Sequence, residues 1–227
     1  MKPISLREAY VQASSFLEAS GIGQDLDRTL KWLLEYVTGL NQSELLLQWH
    51  EPFPPEKIEL WHECLQRKAK GEPVQYIIGE QEFYGLSFHV NPDVLIPRPE
   101  TELLVEQVLK LAEGPYKDLS PIIADIGTGS GAIPVTLAAK LPHWEQIIAT
   151  DISSKALQTA RENAAKHGVS GRIQFIHGDL LTPLLGQGKP RIDLLISNPP
   201  YIPSSELNEL HKEVKDYEPL LALDGGE

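Results

Sequence analysis

Asn198-Pro199-Pro200-Tyr201 is where this sequence concentrates the most chemistry in the fewest residues. An amide or exocyclic base nitrogen is a poor nucleophile, because its lone pair is conjugated into a π system. The Asn198 side-chain oxygen and the Pro199 carbonyl can each accept one of the two N–H hydrogens on such a nitrogen. That pairing favours a pyramidal nitrogen with its lone pair directed at an electrophile. The prolines fix φ and remove backbone donors, which keeps both acceptors in place. Tyr201 offers a flat face on which a planar amide or base can stack. As structure alone the tetrapeptide is a stiff turn, so its chemical reading depends on what else the chain brings beside it.

A second constellation is Asp125-Ile126-Gly127-Thr128-Gly129-Ser130-Gly131, placed after an apolar run and directly before a helix. Glycines let the backbone turn tightly and approach a ligand without a Cβ in the way. The spacing is G-x-G-x-G, which differs from the G-x-G-x-x-G of dinucleotide sites. With an acid ahead of the first glycine, it is the pattern usual in S-adenosylmethionine enzymes of alternating β/α topology. Gly127, Thr128, Gly129, Ser130 and Gly131 are therefore candidate cofactor residues. Asp151 lies 20 residues beyond Gly131, where a doubly wound site accepts hydrogen bonds from ribose hydroxyls. A helix dipole would also favour an acid at that point. Asp179 in Gly178-Asp179-Leu180 is placed to accept from an adenine amino group, with Leu180 against the ring. Asn198 joins both sets: beside a sulfonium methyl it would take part in an in-line displacement run by positioning and electrostatics.

The elements that must position these residues fall into two textures. Residues 1–80 read as a helical bundle. Ser5 and Glu8 form a capping box ahead of Leu6, Ala9, Tyr10, Ala13, Phe16 and Leu17 at helical spacing. Asp25 or Asp27 opens a second helix closed by Gly39, and Asn41 with Glu44 caps a short third piece, Leu45–Trp49. After Pro52, Pro54 and Pro55 a fourth helix runs to Gly71. Residues 81–99 read as a β-hairpin connector around Gly85, with Val94-Leu95-Ile96 as a returning strand. Residues 100–227 read as the methyltransferase domain. There Ile122–Ile126, Ile147–Ile152, Ile173–Ile176 and Ile192–Ile196 are short apolar strands alternating with helices. The fold class is α/β: a doubly wound, mostly parallel, Rossmann-like sheet preceded by a small helical bundle.

Composition narrows the functions further. The chain has 227 residues, 41% hydrophobic and 23% charged, an ordinary globular balance. No apolar run reaches the roughly 20 residues of a bilayer span, and MKPISLREAY lacks the marks of a secretory or transit leader. A cytoplasmic location is the expectation. Cys64 is the single cysteine, so no disulfide framework is expected, and no His or Cys pair has zinc-site spacing, so no metal is either. A net charge of −12 argues against a direct grip on nucleic acid phosphates.

On these residues the sequence resembles the HemK/PrmC-type release factor glutamine methyltransferases, and the likeness extends over essentially the whole chain. It rests on Pro73–Gly79, on Phe83-Tyr84-Gly85, and above all on Pro97-Arg98-Pro99-Glu100-Thr101-Glu102. It also includes the glycine loop, Asn198–Ile202, Tyr217-Glu218-Pro219 and Ala222–Gly226. The resemblance implies a class I, S-adenosyl-L-methionine-dependent enzyme that methylates the glutamine amide of the Gly-Gly-Gln motif in peptide chain release factors. It implies that Asn198–Tyr201 hold the glutamine, that Gly127–Gly131 and Asp151 hold the cofactor, and that the bundle helps recognise the release factor. Arg98 and Glu100, otherwise a rigid hairpin-to-helix joint, would border the active-site mouth.

Asn-Pro-Pro-Tyr alone also occurs in amino-methyltransferases of DNA and RNA bases, which is the rival enzyme reading. A cofactor- or partner-binding fragment without turnover is the non-enzymatic one. The family continues past Asp224-Gly225-Gly226, whereas this sequence stops about 26 residues after Tyr201. The sheet is therefore expected to lack its last strands and to leave the fourth as an open edge.

Overall fold

A computed structural model describes residues 4–23, 25–117, 119–141, 144, 146–186, 188 and 191–227. The chain forms two compact units, one of residues 1–78 with 212–217 and one of residues 79–211 with 218–227.

The first unit is helical: α1 (Leu6–Ala19), α2 (Leu26–Thr38), α3 (Gln42–Leu47), α4 (Ile58–Ala69), α5 (Val74–Ile78) and α9 (Lys212–Tyr217). Both capping boxes close. Ser5 Oγ accepts from Glu8 N while Ser5 N donates to the Glu8 carboxylate, and Asn41 pairs with Glu44 in the same way. Because the second box starts its helix directly after Asn41, α3 lies earlier than the expected Leu45–Trp49. Leu17, Leu30, Leu33, Leu34 and Val37 are completely buried between the helices, so packing of apolar stripes holds the bundle. Two elements depart from the sequence reading. The short helix α5 follows Pro73, whose carbonyl accepts from Tyr76 N and Ile77 N. Helix α9, expected inside the methyltransferase domain, belongs here because Lys68 is only 2% exposed and needs a counter-charge. Its ammonium bonds the Glu72 carbonyl at 3.2 Å and pairs with Glu213, while the Tyr217 hydroxyl donates to the Lys70 carbonyl.

The second unit holds β1 (Glu80–Phe83), β2 (Leu86–His89), α6 (Glu102–Glu113), β3 (Ile122–Ile126), α7 (Ala132–Lys140), β4 (Gln146–Asp151), α8 (Ser154–Lys166), β5 (Ile173–His177), β6 (Leu194–Ser197), β7 (Ile202–Pro203) and β8 (Asp224–Gly226). The main sheet has the order β5-β4-β3-β6, with every pair parallel. Asp125 stands opposite Ala149 on one side and Ile196 on the other, so β3, β4 and β6 end together. Helix α7 is buried over almost its whole surface, as a helix sandwiched in an α/β core must be. Among the described residues β6 pairs in the main sheet with β3 alone and forms its edge, as the sequence predicts.

The β1–β2 hairpin turns at Tyr84-Gly85, both at positive φ, and buries Phe83 and Phe88 in the core of this unit. It is thus part of the second unit's packing, where the sequence reading has it as a connector. Val94-Leu95-Ile96 does not return as a strand. Ile96 N donates to the Glu218 carboxylate and Pro97 has no N–H, so the donors a ladder needs are taken or missing.

Candidate active site

The residues singled out from sequence gather at the carboxyl end of the parallel sheet, where ligands of open α/β folds bind. The glycine loop leaves β3 with Gly127, Gly129 and Gly131 all at positive φ. Gly127 N and Thr128 N both donate to the Thr150 carbonyl at 2.9 Å, and Gly131 N to the Thr128 carbonyl at 2.9 Å. At Gly131 the requirement is also one of space, since a Cβ there would stand 3.0 Å from Ala160 Cβ on α8. Asn163, fully buried on α8, secures the far side of the loop. Its Nδ2 donates to the carbonyls of Ser130 and His89, and its Oδ1 accepts from His89 N.

Asp151, at the end of β4, uses both carboxylate oxygens within the protein. Oδ2 accepts from Gly129 N at 2.8 Å and Oδ1 from Ser153 N at 2.9 Å. An acid read from sequence as a ribose acceptor therefore also clamps the loop.

Two recesses adjoin here. The larger, of about 270 Å³, is lined by Gly127 and Gly129, Asp151, Asp179 and Leu180, Asn198 and Pro200, with Asp93, Val94, Leu95, Pro219 and Asp224 on other walls. The smaller, of about 50 Å³, is lined by Thr128, Ser130, Arg98, Thr101 and Asn198 among others. Leu95, Gly127, Gly129 and Asn198 border both. Asn198 Nδ2 donates to Thr101 Oγ1 at 3.1 Å. Gly131 sits at the N-cap of α7, and neither it, Pro199 nor Tyr201 borders either recess; the Tyr201 side chain is 77% exposed. Arg98 lines the small recess and Glu100 does not.

Several positioning residues escaped the sequence reading as individuals. Glu218, buried, accepts from Ile96 N at 3.2 Å and from Arg98 Nη2 at 2.5 Å, holding the segment that carries Leu95 against the cavity. Gly225 lies so close to the Asn198–Tyr201 turn that a Cβ there would be 2.9 Å from Tyr201 Cα and 3.0 Å from the Pro200 carbonyl oxygen. Both stand in segments that carry the family resemblance, but spacing along the chain shows nothing of a contact between residues 120 apart, as for Glu218 and Arg98, or of the backbone approach of Gly225 to Tyr201.

Comparison with known proteins decides the family. The PrmC N-terminal domain matches residues 8–79 and the methyltransferase small domain residues 99–216. The release factor glutamine methyltransferase of Bacillus subtilis is 42% identical over 222 residues, which cover 97% of this chain and 75% of that protein. This chain belongs to the release factor glutamine methyltransferase family. Family members from Geobacter sulfurreducens and Chlorobaculum tepidum are 44% and 46% identical over 86% and 84% of this chain. The chain spans about two thirds of their length, 65% and 66% respectively.

The cofactor of this family is S-adenosyl-L-methionine, and the residues present fit it. Asp125 is 1% exposed and neither of its oxygens has a hydrogen-bond partner, and the buried Thr128 hydroxyl has none either. Burial pushes the Asp125 carboxyl up to about 7; the neighbouring Thr128 hydroxyl works against the rise and the Asp151 charge adds to it. Orphaned acceptors behind a cradle of three left-handed glycines suit a ligand that brings donors and positive charge, as a sulfonium amino acid does. Cys64 is no rival nucleophile, since burial raises its thiol to about 11. Among the described residues no helix is long and apolar enough to cross a membrane, and no group of three His, Cys, Asp or Glu residues is placed to hold a metal.

Proposed function

We propose that this protein transfers a methyl group from S-adenosyl-L-methionine to the side-chain amide nitrogen of the glutamine in the Gly-Gly-Gln motif of peptide chain release factors, and so acts on translation termination. The observation that carries the reading is the place of Asn198, on the border of both recesses at the end of β6. A cofactor in the larger recess and a carboxamide reaching Asn198 would meet there.

When bound, the cofactor supplies an electrophilic methyl on a sulfonium. Asn198 Oδ1 and the Pro199 carbonyl accept the two amide hydrogens and so return the lone pair to the nitrogen. Such an electrophile would give its methyl to the amide nitrogen and depart as a neutral thioether carrying the C–S electron pair, and the proton released by the nitrogen would pass to solvent water. Gly127, Thr128, Gly129, Ser130, Gly131 and Asp151 cradle the cofactor, with Asp179 and Leu180 at its adenine end. Pro199 and Pro200 keep the acceptors rigid, and Tyr201 forms the outer face of the substrate site. The helical unit of residues 1–78 takes part in recognising the release factor, and the protein works in the cytoplasm without a nucleic acid partner.

The test is incubation with methyl-labelled cofactor and a release factor. Label is expected on the intact factor and absent from one whose Gly-Gly-Gln glutamine is replaced. Equal labelling of the two would overturn the assignment, and labelling of DNA or RNA instead would favour the base-methylating alternative.

A further inference from the structure

We infer that Thr101 is a positioning residue for methyl transfer, holding the Asn198 carboxamide so that its oxygen faces the substrate. This deepens the proposed function and rests on it. A carboxamide presents nearly the same shape when turned by 180°, but its chemistry inverts. With Oδ1 toward the site, Asn198 accepts from the substrate N–H; with Nδ2 toward the site, two donors face each other. Something in the protein has to select between these orientations before the substrate arrives.

The Asn198–Thr101 bond makes that selection. Nδ2 donates to Thr101 Oγ1 at 3.1 Å. Since Nδ2 and Oδ1 lie on opposite sides of the group, Oδ1 is turned away from Thr101. Among the described residues no hydrogen bond reaches Oδ1, so it is available as an acceptor. Both residues line the small recess, together with the unpartnered Thr128 hydroxyl.

The Thr101 hydroxyl is not needed to start the helix. A 3₁₀ turn, Pro99–Thr101, runs straight into α6, so Thr101 has helical φ −69° and ψ −21° and makes no side-chain cap bond. Its hydroxyl instead meets Asn198, 97 residues away in sequence. Loss of that hydroxyl should therefore affect the reaction more than the fold.

The test compares Thr101→Val with Thr101→Ser in the chain of residues 1–227. The Asn198 side-chain NH2 resonances, assigned by their disappearance in Asn198→Asp, should shift in the valine variant and return in the serine one. With labelled cofactor and release factor, kcat should fall about 10- to 100-fold for valine, as expected for lost orientation of a reacting group. Serine should restore most of it. Cofactor Kd should stay within about twofold and the melting temperature within about 2 °C in both. Unmoved NH2 resonances would overturn the proposal. So would an unchanged kcat, or a cofactor Kd that rises in step with the lost turnover. Failure of the wild-type chain to methylate a release factor would count against the proposed function, and the resonance comparison would still decide whether Thr101 sets Asn198.

Discussion

Gly129 and Asp151 are joined by a 2.8 Å hydrogen bond from the amide of one to the carboxylate of the other, tying the loop after β3 to the end of β4. The second oxygen of Asp151 accepts from Ser153 N at the start of α8. One side chain thus fixes a glycine loop, a strand end and a helix terminus. Asp151→Asn leaves a single acceptor for two backbone donors and turns an NH2 toward one of them. Each charged hydrogen bond of this kind contributes about 1.5–3 kcal/mol. Asparagine is expected to lower the melting temperature by several degrees and to weaken cofactor binding at least about tenfold, measured by calorimetry. Unaltered affinity would show that Asp151 has no part in the cradle.

Asp125 should make the stability of this protein fall as pH rises. Its folded carboxyl titrates at about 7, well above the ordinary carboxylate range, because burial disfavours the charge. Below about pH 4 the carboxyl is protonated in folded and unfolded chains alike, so it contributes nothing. Between there and about pH 7 the unfolded chain has released its proton and the folded one keeps it, so each step up in pH costs stability. Above that the penalty is constant, on the order of a few kcal/mol. Asp125→Asn removes the titration. Thermal melts should show the variant close to wild type near pH 4 and progressively more stable up to pH 8. Cofactor affinity should fall at the same time, because the variant gains stability by giving up a charge suited to a cationic ligand. A pH-independent difference between the two proteins would refute the titration argument.

Glu218 is the partner that keeps Arg98 in place, and its loss should be costly. Its side chain is buried and accepts from both Arg98 and Ile96 N. Removing one member of a buried ion pair leaves the other uncompensated, at about 3–5 kcal/mol. Arg98 is about one-third exposed, so solvent relieves part of that cost, and about 2 kcal/mol is the expected loss for Glu218→Ala in chemical denaturation. Glu218→Gln, which can still accept from Ile96 N, should lose less. If the two variants are equally destabilised, the backbone bond contributes nothing.

How legible these features were depends on how far along the chain their causes lie. Glycine at positive φ, a capping box and a short apolar strand are decided within a few residues. The loop Gly127–Gly131, the Ser5–Glu8 and Asn41–Glu44 caps and the strand Ile122–Ile126 could therefore be read directly. Asn198 was readable as a residue at the end of a strand for the same reason, and it stands at the end of β6 on the border of both recesses. Val94–Ile96 misled because an apolar run looks the same whether its donors meet a strand or the carboxylate of Glu218. The packing of helix α9 in the first unit could not be read, because Glu213 pairs with a buried lysine 145 residues earlier, Lys68. Thr101 was visible as part of a motif, but its bond to Asn198 is a property of the folded chain.

Gly225 is where the Asn198–Tyr201 turn depends most directly on a residue outside it. Strands β7 and β8 pair in parallel, Ile202 with Asp224 and Pro203 with Gly226, and the Asp224 carboxylate accepts from the Ser204 hydroxyl and Gly226 N. This small sheet presses the backbone of Gly225 onto that of Pro200 and Tyr201. An alanine Cβ would lie 2.9 Å from Tyr201 Cα, nearer than carbon atoms approach without displacement, and backbone on both sides leaves little room to yield. The turn would have to move by several tenths of an ångström, carrying the Pro199 and Asn198 acceptors with it. Misplacement of that order affects an oriented reaction far more than it affects folding. Gly225→Ala is expected to lower kcat about 10- to 100-fold, with a melting temperature within a few degrees of wild type and cofactor affinity nearly unchanged. Gly226→Ala is the control. Its Cβ meets nothing within 4 Å, so it tests only the strain of a positive φ, about 1 kcal/mol, and should leave turnover close to normal. Equal loss of turnover in the two variants would mean that backbone strain in β8, and not contact with the Asn198–Tyr201 turn, governs the site.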